Sequence, residues 1–530
     1  MVSCLARAAL VAAMLGGCAS LPPGADFPKT PSLALERPGE TRLGRRFEVR
    51  LREHSGKSGF HLLPAGLDGF LARSQMVGAA ERTLDVQYFI FQGDETGTLL
   101  TDAMLRAADR GVRVRVLLDD LEASGRAAQI AALDAHANIE IRLFNPFNYR
   151  GQAKLFRLLD FAFNSSRLDY RMHNKLFVVD NAIALVGGRN VGDEYFQVSS
   201  EFQFGDYDVF AVGSVVQQLS ATFDAFWNGA FAIPVAALQR DTAPAPALQA
   251  LRTVLDEYRR KLAQTDYVRK LASGEPLAGI VSGRVPLVWA QAQVVSDSPD
   301  KRSVAKGETS GTLLRRPVET AAAAVRSELL LVSPYFIPGD DGMQLFKELR
   351  RRQVRVRVLT NSLGSAEDSW PLMAHAAYAR YRRPLLETGV ELYEVRPVPG
   401  RPKGSGEPQD AKRARRFALH AKVFVFDRQR LFIGSMNFDQ RSMRLNTEVG
   451  LIIDSPELAQ QTAARFESIM RPANSYALAL RSGDGDTQSR ILWLTEERGK
   501  SVAYESELAR GPMQQLKVDF FALLPLEGEL

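Results

Sequence analysis

Residues 173–190 read His-Asn-Lys-Leu-Phe-Val-Val-Asp-Asn-Ala-Ile-Ala-Leu-Val-Gly-Gly-Arg-Asn, and residues 420–437 read His-Ala-Lys-Val-Phe-Val-Phe-Asp-Arg-Gln-Arg-Leu-Phe-Ile-Gly-Ser-Met-Asn. Both follow one pattern, H-x-K-x₄-D-x₆-G-[GS]-x-N, and the two copies lie 420 − 173 = 247 residues apart. By residue frequencies, an H-x-K-x₄-D match alone is expected in roughly one chain in a hundred of this length. Two matches at a shared offset therefore mark an internal repeat.

The sequence around the motifs repeats with them. Leu84-Asp-Val-Gln-Tyr-Phe-Ile-Phe91 is rich in β-branched and aromatic residues, and Leu329-Leu-Leu-Val-Ser-Pro-Tyr-Phe-Ile337 is its counterpart; Tyr88 and Tyr335 are again 247 apart. Val112-Arg-Val-Arg-Val-Leu117 alternates apolar and charged residues, and Val354-Arg-Val-Arg-Val-Leu359 does the same 242 residues later. Period-2 alternation predicts strands. Helical stretches are predicted at 97–110, 343–352 and 375–387, and further strands at Ile139–Phe144 and Val390–Tyr393. Strands alternating with helices imply an α/β fold with a mixed or parallel sheet covered by helices.

The predicted organisation is two homologous α/β domains, residues 60–240 and 311–475, each a mixed sheet flanked by helices. Residues 241–310 form a connector, with a helix at Leu248–Arg269 and a loop at Ser296–Thr312, and residues 476–530 are left unassigned. The full 530 residues, 45% hydrophobic and 24% charged, exclude a disordered or fibrous chain. The net charge of +6 suits an anionic partner.

The two cysteines, Cys4 and Cys18, leave no internal disulfide framework and no thiolate metal site. Arg7, the apolar run Ala8–Leu15 and Gly16-Gly17-Cys18 read as a signal peptide over residues 1–17. Leu15-Gly16-Gly17-Cys18 resembles a bacterial lipobox, which implies lipidation of Cys18 and a lipid-anchored tether within residues 18–59. Acyl chains contribute about 0.8 kcal/mol per buried CH₂. Ala19, which is not Asp, points to the outer membrane, facing the periplasm. No other stretch reaches the roughly 18 apolar residues a membrane span needs. The segment Tyr149–Tyr170, interleaving Arg and Lys with Leu and Phe, reads either as an interfacial helix or as one packed on its own domain.

In an extended segment His173 and Lys175 point to one face, as do His420 and Lys422. Asn190 and Asn437 follow glycine turns that return amide donors to that face. If the two halves meet, two imidazoles, two ammonium groups and two carboxamides share one pocket. This set suits a phosphodiester: cations and amides hold the nonbridging oxygens, one imidazole attacks phosphorus and the other supplies a proton. The lysines carry the neutralising charge, so neither a metal nor another cofactor is called for.

The duplicated pattern resembles the phospholipase D superfamily. The resemblance implies two phospholipase D-like domains meeting at one active site and a phosphohistidine intermediate. Residue by residue, it makes His173, Lys175, Asp180, His420, Lys422 and Asp427 the catalytic set. His173 is assigned as nucleophile and His420 as acid and then base, although the motif leaves that order open. Lys175, Asn190, Lys422 and Asn437 would bind phosphate, while Asp180 and Asp427 carry the more structural role. An acidic residue orients each histidine: Glu448 in the second half and, as its counterpart for the first histidine, Asp208, with Asp206 and Glu194 as rivals.

Leu84–Ile90, Arg142-Leu-Phe-Asn-Pro-Phe147, Arg171–Lys175 and Phe432–Asp439 resemble bacterial cardiolipin synthases of type C. That resemblance implies phosphatidylglycerol as one substrate and phosphatidylethanolamine as phosphatidyl donor. The alternatives are a hydrolase using water as acceptor, a nuclease, and a non-catalytic lipid-binding lipoprotein. The basic run Lys412-Arg413-Ala414-Arg415-Arg416 reads as a solvated loop or a lipid contact rather than a nucleic-acid site, and protein partners are not legible.

Overall fold

The residues that follow each H-x-K triplet alternate between two hydrophobic cores. Leu176 and Val178 face one cluster and Phe177 and Val179 another. Val423 and Val425 join Leu176 and Val178, while Phe424 and Phe426 enter a third cluster. Because successive strand side chains point to opposite faces, each half has its own outer core, and the two share an inner one.

A computed structural model describes residues 21–151, 153–199, 201–238, 244–263, 276–366, 370–398, 416–481 and 489–524. The signal segment, Cys18 and residues 412–415 of the basic run lie outside the described residues.

The first half contributes strands β1 (Ser58–Leu63), β2 (Thr83–Tyr88), β3 (Arg113–Asp119), β4 (Ile139–Phe144), β5 (Leu176–Val179), β6 (Ile183–Gly187), β7 (Phe202–Gly205), β8 (Asp208–Val212) and β9 (Ala232–Pro234). The second half contributes β10 (Val288–Ser296), β11 (Glu328–Val332), β12 (Arg355–Asn361), β13 (Glu391–Val395), β14 (Arg416–Leu419), β15 (Val423–Phe426), β16 (Arg430–Gly434), β17 (Val449–Asp454), β18 (Ser475–Arg481), β19 (Arg490–Glu497) and β20 (Lys500–Tyr504).

Pairing gives the order β1-β8-β6-β5-β2-β3-β4-β9 in the first half. The second half repeats it as β10-β17-β16-β15-β11-β12-β13-β18, extended by β19 and β20. In each half three central strands are parallel and the rest antiparallel, so the sheets are mixed. Antiparallel pairing of β1 with β10 joins them, with Ser58 opposite Ala290.

The helix predicted over 375–387 is two helices, Trp370–Ala379 and Arg382–Thr388. Pro384 has no N–H to donate to the preceding turn, so it fits only the first turn of a new helix. The connector helix is observed at Pro244–Leu262, and the expected loop 296–312 contains a helix at Lys301–Lys306. Within residues 18–59, Arg42–Glu53 is helical, with the Thr41 side chain accepting from the Gly44 N–H. The unassigned C-terminal segment supplies β19 and β20 and a helix at Pro512–Ala522. Among the described residues no helix is long and apolar enough to cross a membrane.

Candidate active site

Each motif histidine lies just before the strand its triplet leads into, where the two halves touch. Met172 forms a parallel bridge with Thr447, and the His173 N–H donates to the Thr447 carbonyl at 2.9 Å. In the mirror arrangement β14 pairs in parallel with β7, Leu419 opposite Gly205, and the His420 N–H donates to the Gly205 carbonyl at 2.8 Å. The residue preceding each histidine is thus held beside the residue preceding a carboxylate of the other half.

The carboxylates are Glu448 and Asp206. His173 Nδ1 lies 2.9 and 3.0 Å from the two Glu448 oxygens, and His420 Nδ1 lies 2.5 Å from Asp206 Oδ2. The orienting pairs therefore cross between halves. This corrects the sequence expectation: Glu448 serves the first histidine, and Asp208 serves neither. Asp208 is fully buried between Arg73 and Arg189, 2.9 and 3.1 Å away. It opens β8 opposite Gly187, whereas Asp206 lies against Gly188, where a Cβ would stand 2.2 Å from Asp206 Oδ1. Gly188 is needed for that approach. Its counterpart Ser435 instead donates a hydroxyl proton to Glu448 at 2.5 Å.

Both lysines are buried with the histidines. Lys175 Nζ donates to the His173 carbonyl at 2.7 Å and lies 5.4 Å from the Phe89 ring centre. Lys422 Nζ lies 3.0 Å from His420 Nδ1. Aromatic rings wall the imidazoles: Phe89 stands edge-on to His173, and Tyr195 and Phe204 contact His420, all with centroids 5.0 Å away. Asn190 donates to the Tyr195 hydroxyl at 2.9 Å and accepts from the Ile90 N–H at 3.3 Å. Asn437 is buried, its N–H donating to Ser442 Oγ at 3.3 Å and its carboxamide oxygen without a hydrogen-bond partner.

Asp180 and Asp427 do not join this group. Five residues of extended chain beyond Lys175 span roughly 16 Å. Both aspartates occupy left-handed backbone, φ +53° and +52°, in the turns β5–β6 and β15–β16. Asp180 accepts from the N–H groups of Glu81, Arg82 and Thr83, and Asp427 from those of Arg326, Ser327 and Glu328. They tie each hairpin to the start of β2 or β11, in the structural role rather than the catalytic one.

Burial and two ammonium groups set the electrostatics. Burial, then Lys175 and Lys422, hold the His173 imidazole well below its ordinary pKa. Burial and Lys422 bring His420 down to about 3, with Asp206 opposing them. Burial lifts Glu448 to about 7 against the pull of Lys175. Burial works to raise Asp206 as well, but His420, Lys422 and Arg189 outweigh it and hold that carboxyl down to about 2. Burial depresses Lys422 to about 8 and Lys175 well below its usual range. Each lysine acts on the imidazole of the opposite motif, so the six groups form one electrostatic unit spanning both halves.

A supporting pair was not legible in the sequence. Asp297 Oδ2 accepts from the Glu448 N–H at 3.0 Å and from Lys301 Nζ at 2.9 Å. Lys301 Nζ also donates to the Ser442 and Asn446 carbonyls at 2.7 Å. Both residues come from the stretch read as a connector loop. His375, the fifth histidine, bonds Glu507 at 2.6 Å and lies in the core of the second half.

A family model described as "Cardiolipin synthase, PLD-like domain" matches residues 74–227 and 319–470, once in each half. Over 480 residues the chain is 38% identical to cardiolipin synthase C of Escherichia coli K12, covering 90% of this chain and 97% of that protein. It is 29% identical to an uncharacterised protein of Helicobacter pylori 26695 over 87% of this chain and 88% of that one. Among solved structures, phosphatidylserine synthase of Haemophilus influenzae Rd KW20 superimposes with a TM-score of 0.50 at 15% identity, over 82% of this chain and 92% of that chain; this shows a shared fold.

Proposed function

The chain belongs to the cardiolipin synthase family of phospholipase D-like proteins, and from that premise we propose that it is a phosphatidyltransferase making cardiolipin, with phosphatidylglycerol as acceptor and a second phospholipid, phosphatidylethanolamine, as donor. The observation that carries this reading is the crossed pair of histidine–carboxylate contacts, which brings both motifs to one place where a single phosphodiester can be held.

In the proposed reaction the nonbridging oxygens lie among Lys175, Lys422, Asn190 and Asn437, whose positive charge and amide donors balance the charge that grows at phosphorus. Glu448 accepts the His173 Nδ1 proton, which leaves the Nε2 lone pair for attack. A covalent phosphatidyl–His173 bond forms as the P–O bond to the donor's head-group alcohol breaks, and His420 protonates the departing oxygen. His420 then takes the proton from a glycerol hydroxyl of phosphatidylglycerol, that oxygen attacks phosphorus, and the P–N bond to His173 breaks. The order rests on the carboxylates. Asp206 stays ionised and supports an imidazolium at His420, whereas Glu448, lifted to about 7, supports a positive His173 less well. The phosphate anion offsets the lysine charges that depress both rings.

Attachment to the envelope is part of this reading: Cys18, freed by cleavage after Gly17 and acylated, would tether the folded body to the outer membrane. The test is lipid analysis of cells producing the parent protein or His173→Ala at equal levels. Cardiolipin is expected to rise with the parent alone, and equal cardiolipin in both overturns the reading. Adding glycerolipid acceptors to the purified protein separates transfer from hydrolysis, which would release phosphatidic acid instead.

A further inference from the structure

Two helices carry apolar side chains on the outside of the protein. In Lys154–Phe163 two polar residues turn inward: Asp160 accepts from Asn148 and from the Tyr149 N–H, both at 2.9 Å, and Arg157 donates to the Asp120 carbonyl at 3.0 Å with its guanidinium 4.2 Å over Phe147. At about 100° per residue, Leu155, Phe156, Leu158, Leu159 and Phe163 share the remaining arc. They are 41–77% exposed, and no residue of this helix is buried. A helix packed on a globular core turns its apolar stripe inward; this one is inverted. Of the two readings the sequence allowed, packing on its own domain leaves that apolar arc uncovered.

The second helix, Pro512–Ala522, buries Gln514 and Val518. Met513, Leu516 and Phe520, spaced three and four apart, stand outward with the following Leu523, 57–82% exposed.

A chain of contacts runs from the first helix to the second. Just past the first helix, Asp169 forms an ion pair with Arg441 at 2.7 Å. The Arg441 guanidinium lies 5.2 Å over the Trp370 ring, and Trp370 opens the helix that packs against Pro512–Ala522. Arg441 is near enough to His173 to help depress its pKa. Cations border both arcs: Lys154 begins the first, Arg302 bonds the Ser166 carbonyl beside it, and Arg380 bonds the Ala522 and Leu524 carbonyls at the end of the second. Asp519 lies on the second helix, accepting from Gln515.

We propose that these two helices are the surface that seats the protein on a phospholipid bilayer, their apolar residues entering the acyl boundary and the bordering cations meeting anionic headgroups. The inference rests on the phospholipid reading of the site, adds to a tether the means of orienting the protein, and commits to lipid as occupant rather than a second copy of the chain.

The test uses the full chain carrying Cys18→Ser in every arm, so that no acyl group on that sulfur contributes. Flotation with vesicles of phosphatidylglycerol and phosphatidylethanolamine compares this background with L155Q/L159Q/F163Q and with M513Q/L516Q/F520Q. Each triple variant is expected to lower the bound fraction at least fivefold, and anionic vesicles are expected to bind better than phosphatidylcholine. A second measurement is independent of other anchors: Phe163→Trp should be quenched by lipids brominated in the acyl chain, beyond the quenching of the background protein. Unchanged flotation in both variants, no added quenching, or a lipid-free dimer that the variants dissociate overturns the proposal. Turnover of monomeric short-chain phosphatidylglycerol by the background protein reads the chemistry separately. Binding without turnover would remove the phospholipid reading of the site, and turnover without binding would remove only the surface.

Discussion

Asp206 Oδ2 lies 2.5 Å from His420 Nδ1, so the carboxylate that orients one motif's imidazole is carried by the other half of the chain. Glu448 returns the relation to His173. Neither half holds an oriented histidine by itself, which ties the chemistry to the docking of the two sheets.

Asp206→Asn and Asp208→Asn, two residues apart, should have different effects. The first removes the charge that supports an imidazolium at His420, and turnover should fall on the order of 10³-fold or more, as when the orienting carboxylate of a catalytic triad is neutralised. The second leaves Arg73 and Arg189 buried without their counter-charge, costing about 3–5 kcal/mol of stability. Denaturant midpoints and activity per folded molecule separate the two. Equal losses of turnover in both variants would contradict the crossed assignment.

The pH dependence of kcat/KM should be a narrow bell. Glu448, lifted to about 7, takes up a proton as pH falls through that value and ceases to accept from His173 Nδ1–H. Lys422, depressed to about 8, loses its charge as pH rises through that value and no longer holds phosphate. Activity is therefore expected between limbs near 7 and 8. Lys422→Arg, charged throughout, should shift the alkaline limb, leaving only the titration of Lys175 to shape it, even where it lowers the maximum. A rate that keeps rising past pH 9 in the parent counts against a charged Lys422.

Asp297→Ala should weaken the main-chain support of Glu448 and leave the Lys301 ammonium buried without its counter-charge. A fall of about tenfold in kcat is expected, in line with supporting residues at other sites. The acid limb of the pH profile should also move, because the carboxyl of Glu448 changes surroundings. A loss of stability with an unmoved acid limb would make Asp297 structural only.

Asp180→Ala and Asp427→Ala each remove the acceptor for three main-chain N–H groups. Each unpaired buried donor costs about 1–3 kcal/mol. Chemical denaturation should show a loss of several kcal/mol for Asp180→Ala and a smaller one for the more exposed Asp427 site, with kcat per folded molecule nearly kept. A large fall in kcat without loss of stability would return these residues to the catalytic set.

The two-sheet architecture was legible because its signals are local. Period-2 alternation at Val112–Leu117 and Val354–Leu359, repeated at a near-constant offset, marks strands and their duplication. The crossed carboxylates were not, because spacing within a half carries no information on contacts between halves. Asp208 matches Glu448 in sequence context, each being followed by valine, yet the fold buries it between Arg73 and Arg189. The available signal was Gly188 against Ser435: a missing Cβ makes room for Asp206, and a hydroxyl in the same place serves Glu448. Asp297 and Lys301 are not legible in the sequence because a four-residue spacing of opposite charges is common on surfaces, and only the fold buries this pair.

The most direct measurement is the position of a covalent intermediate. The full chain would be mixed with a short-chain phosphatidyl ester of a nitrophenol, whose leaving group needs no acid, and quenched in alkali during turnover. Peptide mass spectrometry should find a phosphatidyl increment on the peptide bearing His173, more abundant in His420→Ala, which cannot deprotonate the acceptor, and absent from His173→Ala. An increment on His420 instead, or continued turnover by His173→Ala, would contradict the account.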